Sequence, residues 1–174
     1  MEKQKSTQLM LNFGILQGLI ITVYSVILYA IDKQFEAGYI SLFFSLLLSV
    51  GILVLAYKQF KNANEGFMSL GEAIKTGLGI SVIAGVVSVI YQVIYQKFID
   101  PGYLDRLLAF QKEQMIESNP DMTQEQMDMA IGMTEKFSSL GFSIAIILIS
   151  SLFFGLILSL IVGAIMKKER PAHF

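Results

Sequence analysis

Five of the nine methionines in this 174-residue chain lie in one polar stretch that precedes its last apolar segment. Three of them, Met127, Met129 and Met133, have a spacing at which soft thioether sulfurs can gather a Cu(I) ion. However, residues 127 and 129 point to different faces of a helix, and the chain has no Cys to join them. Flexible methionines also fill loosely packed helical surfaces and partner grooves, and we favour that interpretation. We therefore expect no metal and no cofactor.

The apolar segments contain no Asp, Glu, Lys, Arg or His, the ionisable groups on which proton relays and intramembrane hydrolysis usually depend. Their only amides, for which we expect interhelical hydrogen bonding, are Asn12, Gln17, Gln92 and Gln96. The single histidine, His173, is next to the last residue, where we expect it to be solvated. No glycine-rich phosphate loop follows a strand, because the pattern contains no strands. The sequence thus predicts no catalytic residue and argues against an enzyme that acts alone.

The composition places the chain among membrane proteins. Hydrophobic residues make up 54% of it and charged residues only 16%, which argues against a disordered chain. The absence of Cys argues against a disulfide-bonded secreted module. A net charge of -1 argues against a basic nucleic-acid binder, so the lipid bilayer is the expected partner.

Four uncharged runs are long enough to cross a bilayer core of about 30 Å, which takes about 20 helical residues. We place the spans at about 9–31, 37–57, 74–96 and 139–166, with an external insertion at about 97–138. The first run exceeds the apolar region of a signal peptide and lacks its cleavage pattern, so we expect it to be retained. The predicted fold is all-α: one polytopic domain, residues 1–174, with four transmembrane helices and a helical hairpin between the third and fourth.

Small residues recur four positions apart in every span, which lets helices approach closely in lipid. The candidate packing residues are Gly14 and Gly18 in the first span, Ser41, Ser45 and Ser49 in the second, Gly77, Ser81 and Gly85 in the third, and Ser151, Gly155, Ser159 and Gly163 in the fourth. This pattern favours a compact bundle. The stripe in the fourth span suits either the interior of that bundle or a contact between two copies.

Helix starts are marked at three places outside the apolar runs. The pairs with the spacing of a capping box are Ser69 with Glu72 and Thr123 with Gln126. Asp100 followed by Pro101 predicts a break and then a helix that is capped by Asp, with Pro in its first turn. The two helices after these last signals would form the external hairpin, which either stands off the membrane or lies on it.

Charge in the flanks of the spans predicts the orientation. Eight Lys and Arg residues lie on the side of the two termini and five lie on the other side. This bias favours cytoplasmic termini and places residues 97–136 in the periplasm or outside the cell.

With these features the chain resembles a family of four-span bacterial membrane proteins known as domain of unknown function 4199. The similarity covers nearly the whole length. It includes the segment from Gly66 to Gly77 that enters the third span, the segment from Phe98 to Pro101 that leaves it, and the acidic, Met-containing helix before the last span. The resemblance implies a multi-pass protein of the bacterial cytoplasmic (inner) membrane. It implies no activity, cofactor or catalytic residue.

We interpret the chain as a non-enzymatic accessory or assembly subunit. It would bind a second copy or another membrane protein through its external cap (Pro101–Phe137) and its small-residue helix faces. One alternative is a small oligomeric transporter or channel, whose polar path would be lined by Gln17, Gln92, Gln96, Ser81 and Ser88. A further alternative is an auxiliary to an enzyme that acts on lipid-linked sugars.

Overall fold

The computed structural model of the protein describes residues 2–170, with side chains from Ser6 onward. Six α-helices follow one another in this part of the chain: α1 (Glu2–Ala30), α2 (Gly38–Ala63), α3 (Leu70–Ile94), α4 (Tyr103–Ser118), α5 (Gln124–Ser138) and α6 (Leu140–Met166). A short π-helical turn, Tyr95–Ile99, extends α3. Residues 2–170 contain no β-strand, so the all-α prediction is confirmed.

Four of the helical segments are long and apolar enough to cross a membrane. They are Ser6–Ala30, Gly38–Ala63, Leu70–Ile99 and Leu140–Met166. Their outer faces expose many large apolar side chains, among them Phe43 and Ile165. Continuous apolar faces of this extent are unusual on proteins surrounded by water, whereas lipid covers them without cost. The prediction of a polytopic, four-span membrane protein is confirmed.

The helices extend beyond the predicted spans where charged residues begin. The second predicted span ends at residue 57, but α2 runs on to Ala63. In this extension the Lys61 ammonium group donates a hydrogen bond of 3.1 Å to the carbonyl of Met166, at the end of α6. A cation at a helix C-terminus satisfies carbonyl groups that have no partner within their own helix. An uncharged run therefore marks the apolar core of the bilayer and not the full length of the helix.

The chain divides into two compact units: the residues up to Ser88 together with those from Leu148, and the segment Val89–Ile147. In the first unit α1, α2, α3 and α6 surround a core whose fully buried side chains include Tyr57, Met68 and Ile80. The Tyr57 hydroxyl donates a hydrogen bond of 2.8 Å to the carbonyl of Ala73, which ties α2 to α3 inside this core.

The second unit contains the predicted helical hairpin. In it α4 packs against α5, and Met127 is the buried residue of α5. The turn between them ends at Thr123, whose hydroxyl accepts a hydrogen bond from the backbone of Gln126 while the Gln126 side chain accepts one from the backbone of Thr123. The other proposed capping box lies in the first unit, before α3. There the backbone N–H of Ser69 donates to the Glu72 carboxylate, and the backbone N–H of Glu72 donates to the Ser69 hydroxyl.

The predicted cap at Asp100 is wrong. Helix α4 begins at Tyr103, with Gly102 in the N-cap position and no side-chain cap, and Pro101 lies in the turn before it. The Asp100 side chain is only 6% exposed and pairs with the Arg106 guanidinium group. A buried carboxylate is far more costly without a cation than a helix start is without a cap, so the ion pair determines where this side chain points.

Candidate functional site

Helices α3 and α6 meet along an antiparallel row in which a small residue of one helix faces a small residue of the other. The facing pairs are Ala73 with Gly163, Gly77 with Ser159, Ser81 with Gly155, and Gly85 with Ser151. An added Cβ atom at Gly163 would lie 2.8 Å from the Cβ atom of Ala73. Carbon atoms prefer separations of about 3.5–4.0 Å, so the two backbones are as close as these residues permit. The small-residue stripe of the fourth span thus packs against α3 of the same chain.

The glycines of α1 serve a second close approach, this one to α3. An added Cβ atom at Gly14 would lie 2.6 Å from the Cβ atom of Ile83, and one at Gly18 would lie 2.6 Å from the Cβ atom of Val87. Larger residues of α3 therefore fit into the notches that the two glycines leave. This stripe, too, is used within the chain.

The serines of α2 are used differently, as hydrogen-bonding groups. The buried amide of Gln17 on α1 donates a bond of 2.9 Å to the Ser49 hydroxyl, which in turn donates to the carbonyl of Ser45 at 2.7 Å. One end of the same helix pair is joined by a 3.2 Å contact between the hydroxyl groups of Tyr24 and Ser41. Hydrogen bonds of this kind hold α1 and α2 together where lipid offers no alternative partner.

Among the five residues assigned to a polar path, Gln17, Ser81 and Ser88 each contact a different neighbour. Gln17 bonds to α2 and Ser81 faces Gly155, as described above. Ser88 donates a 3.0 Å bond to the carbonyl of Ala84 in its own helix. Gln92 and Gln96 belong to the second unit. The Gln96 amide nitrogen is buried and has no hydrogen-bond partner among residues 2–170.

One end of the first unit brings together three distant parts of the chain. Met68, in the connection between α2 and α3, exchanges two backbone hydrogen bonds with Lys168, of 2.8 and 2.9 Å. The Arg170 guanidinium group donates a 3.0 Å bond to the side chain of Asn64. A cavity of about 320 Å³ beside this connection is also lined by Ser6 of α1. The start of α1, the connection and the end of α6 therefore share one end, as an even number of membrane crossings requires. His173 lies outside the described residues.

The base of the hairpin holds a cluster that sequence reasoning missed. The π-helical turn closes with a 2.8 Å bond from the backbone N–H of Asp100 to the carbonyl of Tyr95, and the hydroxyl of Tyr95 donates a 3.1 Å bond to the Asp100 carboxylate. The Tyr103 ring meets the Tyr95 ring edge-on, with centroids 5.4 Å apart. Burial, and then the negative charge of Asp100, raises the pKa of the Tyr103 phenol. The only signal in the sequence was that Arg106 follows six residues after Asp100, which lies at the end of the third apolar run.

The two hairpin helices expose different surfaces. The exposed face of α4 carries mainly charged side chains, including Lys112, Glu113 and Glu117. Helix α5 instead exposes three apolar residues at four-residue intervals: Met129 (62% exposed), Met133 (57%) and Phe137 (59%). We call these three residues the α5 stripe.

The structure separates the three methionines considered as Cu(I) ligands. Met127 is 7% exposed inside the hairpin, whereas Met129 and Met133 belong to the exposed α5 stripe. Within residues 2–170, no three His, Cys, Asp or Glu side chains are grouped so that they could hold a metal ion.

A family comparison covers the spans, the connections and the hairpin described above. The profile of the family described as "Protein of unknown function (DUF4199)" matches residues 12–168. The chain belongs to this family. The search of curated proteins and the search of solved structures found no match. Membership confirms the resemblance drawn from the sequence, and the family description assigns no activity.

In this DUF4199 protein the small-residue faces and the exposed surfaces have separate uses. The stripes of α1, α3 and α6 are filled by contacts between helices of the same chain. In the hairpin, the charged face of α4 and the α5 stripe remain exposed. These two hairpin surfaces are the candidate binding sites.

Proposed function

We propose that this protein is a non-enzymatic accessory or assembly subunit of the bacterial cytoplasmic membrane. In this proposal it binds a membrane-protein partner through the external hairpin, Pro101–Phe137. The termini and the connection between α2 and α3 lie in the cytoplasm, because eight Lys and Arg residues flank the spans on that side and five on the other. The hairpin is then periplasmic or extracellular.

The observation that carries the proposal is the acidic face of α4 and of the turn after it. Residues 97–136 contain eight acids and four bases, a net charge of -4. Glu113, Glu117 and Asp121 are exposed and have no ion pair within the described part of the chain. Lys112 lies on the same face, but acids outnumber bases there, and an excess of unpaired charge of one sign favours association with a surface of opposite sign and sets its specificity. We therefore expect the partner to present Lys and Arg residues outside the membrane.

Zero-length crosslinking in native membranes tests this proposal. A carbodiimide joins carboxylates to neighbouring lysines, so the tagged protein should capture one recurring protein at a constant ratio. The double variant Glu113→Lys/Glu117→Lys should reduce that capture severalfold. The matched control, Glu65→Lys/Glu169→Lys, makes the same change in net charge in the first unit, where both side chains are exposed and form weak surface pairs. Equal capture by both variants, or no protein at a constant ratio, would contradict the proposal.

The orientation has its own test because the chain contains no cysteine. We predict that a single Cys at Glu117 reacts with a membrane-impermeant maleimide added to intact spheroplasts, whereas one at Glu65 reacts only after lysis. Labelling in the reverse order would place the hairpin in the cytoplasm, and labelling of both positions in intact spheroplasts would contradict the four-span topology.

A further inference from the structure

The α5 stripe is unlike the rest of the hairpin surface. Three large apolar side chains, each more than half exposed, lie along one face of a helix outside the apolar spans. On α4 the only exposed large apolar side chain is Ile116, at 50%, and it lies among charged neighbours. A row of this kind in water is rare on a folded protein, and it indicates a covering surface.

The stripe continues into the outer face of a membrane span. The ring of Phe137 meets the ring of Phe142 edge-on, with centroids 4.9 Å apart. Phe142 lies in the first turn of α6, and Ile146, one turn further, is also exposed. Only Ser139 separates α5 from α6, so the stripe begins where the lipid-facing side of the span begins. The surface already established beside the stripe is therefore the bilayer.

The remaining faces of α5 suit a helix at a lipid surface. At 100° per residue, Asp128 and Glu135 lie nearly opposite the centre of the stripe. Lys136 flanks it, where its long stem can follow the apolar surface while its charge stays in water. An apolar face of Met and Phe with charges on the other side is typical of helices that lie in the plane of the membrane interface.

We propose that α5 lies on the external leaflet, with Met129, Met133 and Phe137 immersed at the boundary between headgroups and acyl chains. Asp128 and Glu135 then face water. The hairpin lies along the membrane on this helix, and the occupant of the stripe is lipid. Because the hairpin carries a net charge of -4, it is better suited to a zwitterionic leaflet than to an anionic one. This inference does not depend on the accessory role, since it concerns a different face of the hairpin from the acidic face of α4.

Tryptophan fluorescence can test the inference, because the chain contains no Trp. The full-length variants Met133→Trp and, as a matched control on the opposite side of α5, Glu135→Trp are reconstituted into phosphatidylcholine vesicles. Some vesicles contain lipids brominated near the top of the acyl chains, and iodide is added on both sides of the bilayer. We expect bromolipids to quench Met133→Trp severalfold more than Glu135→Trp, and iodide to show the opposite order. Emission from Met133→Trp should also be shifted to shorter wavelength.

Two results would overturn the inference. Quenching of Met133→Trp by iodide as strong as that of Glu135→Trp, without quenching by bromolipids, would mean that the stripe faces water. Shielding of Met133→Trp from both quenchers would mean that a protein surface covers it. Phe137→Trp provides a second reporter on the same stripe if Met133→Trp does not fold, as judged by its circular dichroism, and the same results decide the matter there.

Discussion

The contact between α3 and α6 can be tested at one position that isolates it. An added Cβ atom at Gly155 would lie 2.5 Å from the Cβ atom and 2.6 Å from the hydroxyl of Ser81, while the next neighbour, Leu78, is 3.8 Å away. The substitution Gly155→Ala therefore conflicts with Ser81 alone. Since carbon atoms prefer about 3.5–4.0 Å, the two helices have to separate by about 1 Å to admit the new methyl group.

The expected loss follows from two opposing terms. Overpacking costs about 1–3 kcal/mol, whereas Ala in place of Gly favours the helix by about 1 kcal/mol. Gly51→Ala on α2 is the matched control, because an added Cβ atom there meets nothing within 4 Å and only the helix term remains. The difference in the free energy of unfolding between the two variants should thus be about 1–3 kcal/mol, or about 5- to 150-fold in the unfolding equilibrium.

The measurement is an SDS titration of each purified variant in mixed micelles, followed by circular dichroism. The double variant Ser81→Gly/Gly155→Ala moves the small residue from one helix to the other, so it should recover most of the loss and give a coupling energy of about 1–3 kcal/mol. If Gly155→Ala proved as stable as Gly51→Ala, or if Ser81→Gly restored nothing, the close approach of α3 and α6 would be refuted.

Three further predictions concern single polar groups. Tyr57→Phe should lower the free energy of unfolding in the same titration by about 0.5–1.5 kcal/mol, because the buried hydroxyl donates to the Ala73 carbonyl; an unchanged value would mean that this bond is not formed. Arg106→Gln should weaken hydrogen-exchange protection of the hairpin by about 1–3 kcal/mol, because the buried Asp100, which is 6% exposed, loses its cation. Arg106→Lys should restore part of this protection. Equal protection in the wild type and both variants would argue against the ion pair. In an alkaline titration, the difference in tyrosinate absorbance between the wild type and Tyr103→Phe should appear above the ordinary pKa of 10.0. Because the pKa of Tyr103 is higher in the folded protein than in the unfolded chain, the protonated phenol contributes to the free energy of unfolding below pH 10, and this contribution is lost as the pH rises above 10. A Tyr103 transition at or below 10.0 would contradict the burial of the ring.

The spans could be predicted because hydrocarbon imposes a length and excludes charge. Those two requirements act on each segment separately, so a single sequence is enough to find them. The ends of the helices could not be found in the same way. α2 continues past Lys58 because Lys61 reaches the end of α6, and that contact depends on a helix more than 100 residues later in the chain.

The choice of contact partner was the part that the sequence left open. Gly155 and Ser159 are compatible with α3 or with a second copy, since small residues permit close approach to any smooth helix. The structure identifies α3 as the contact partner, because Gly77 lies opposite Ser159 and Ser81 lies opposite Gly155. Asp100 shows the same limit locally, because capping rules describe the adjacent turn and do not account for a guanidinium group six residues away.

The two hairpin surfaces constrain each other. If lipid covers the α5 stripe, a partner can approach only from the side of α4, where Glu113 and Glu117 are exposed. Charge reversal at these two positions should then reduce capture of the partner severalfold without changing how bromolipids quench the tryptophan of Met133→Trp. If a partner instead covered the stripe, it would exclude lipid there, and quenching would rise when the partner was removed. Comparing bromolipid quenching of the purified variant in vesicles with and without the captured partner, after the partner's own emission is subtracted, therefore separates a hairpin that rests on lipid from one that is held by protein.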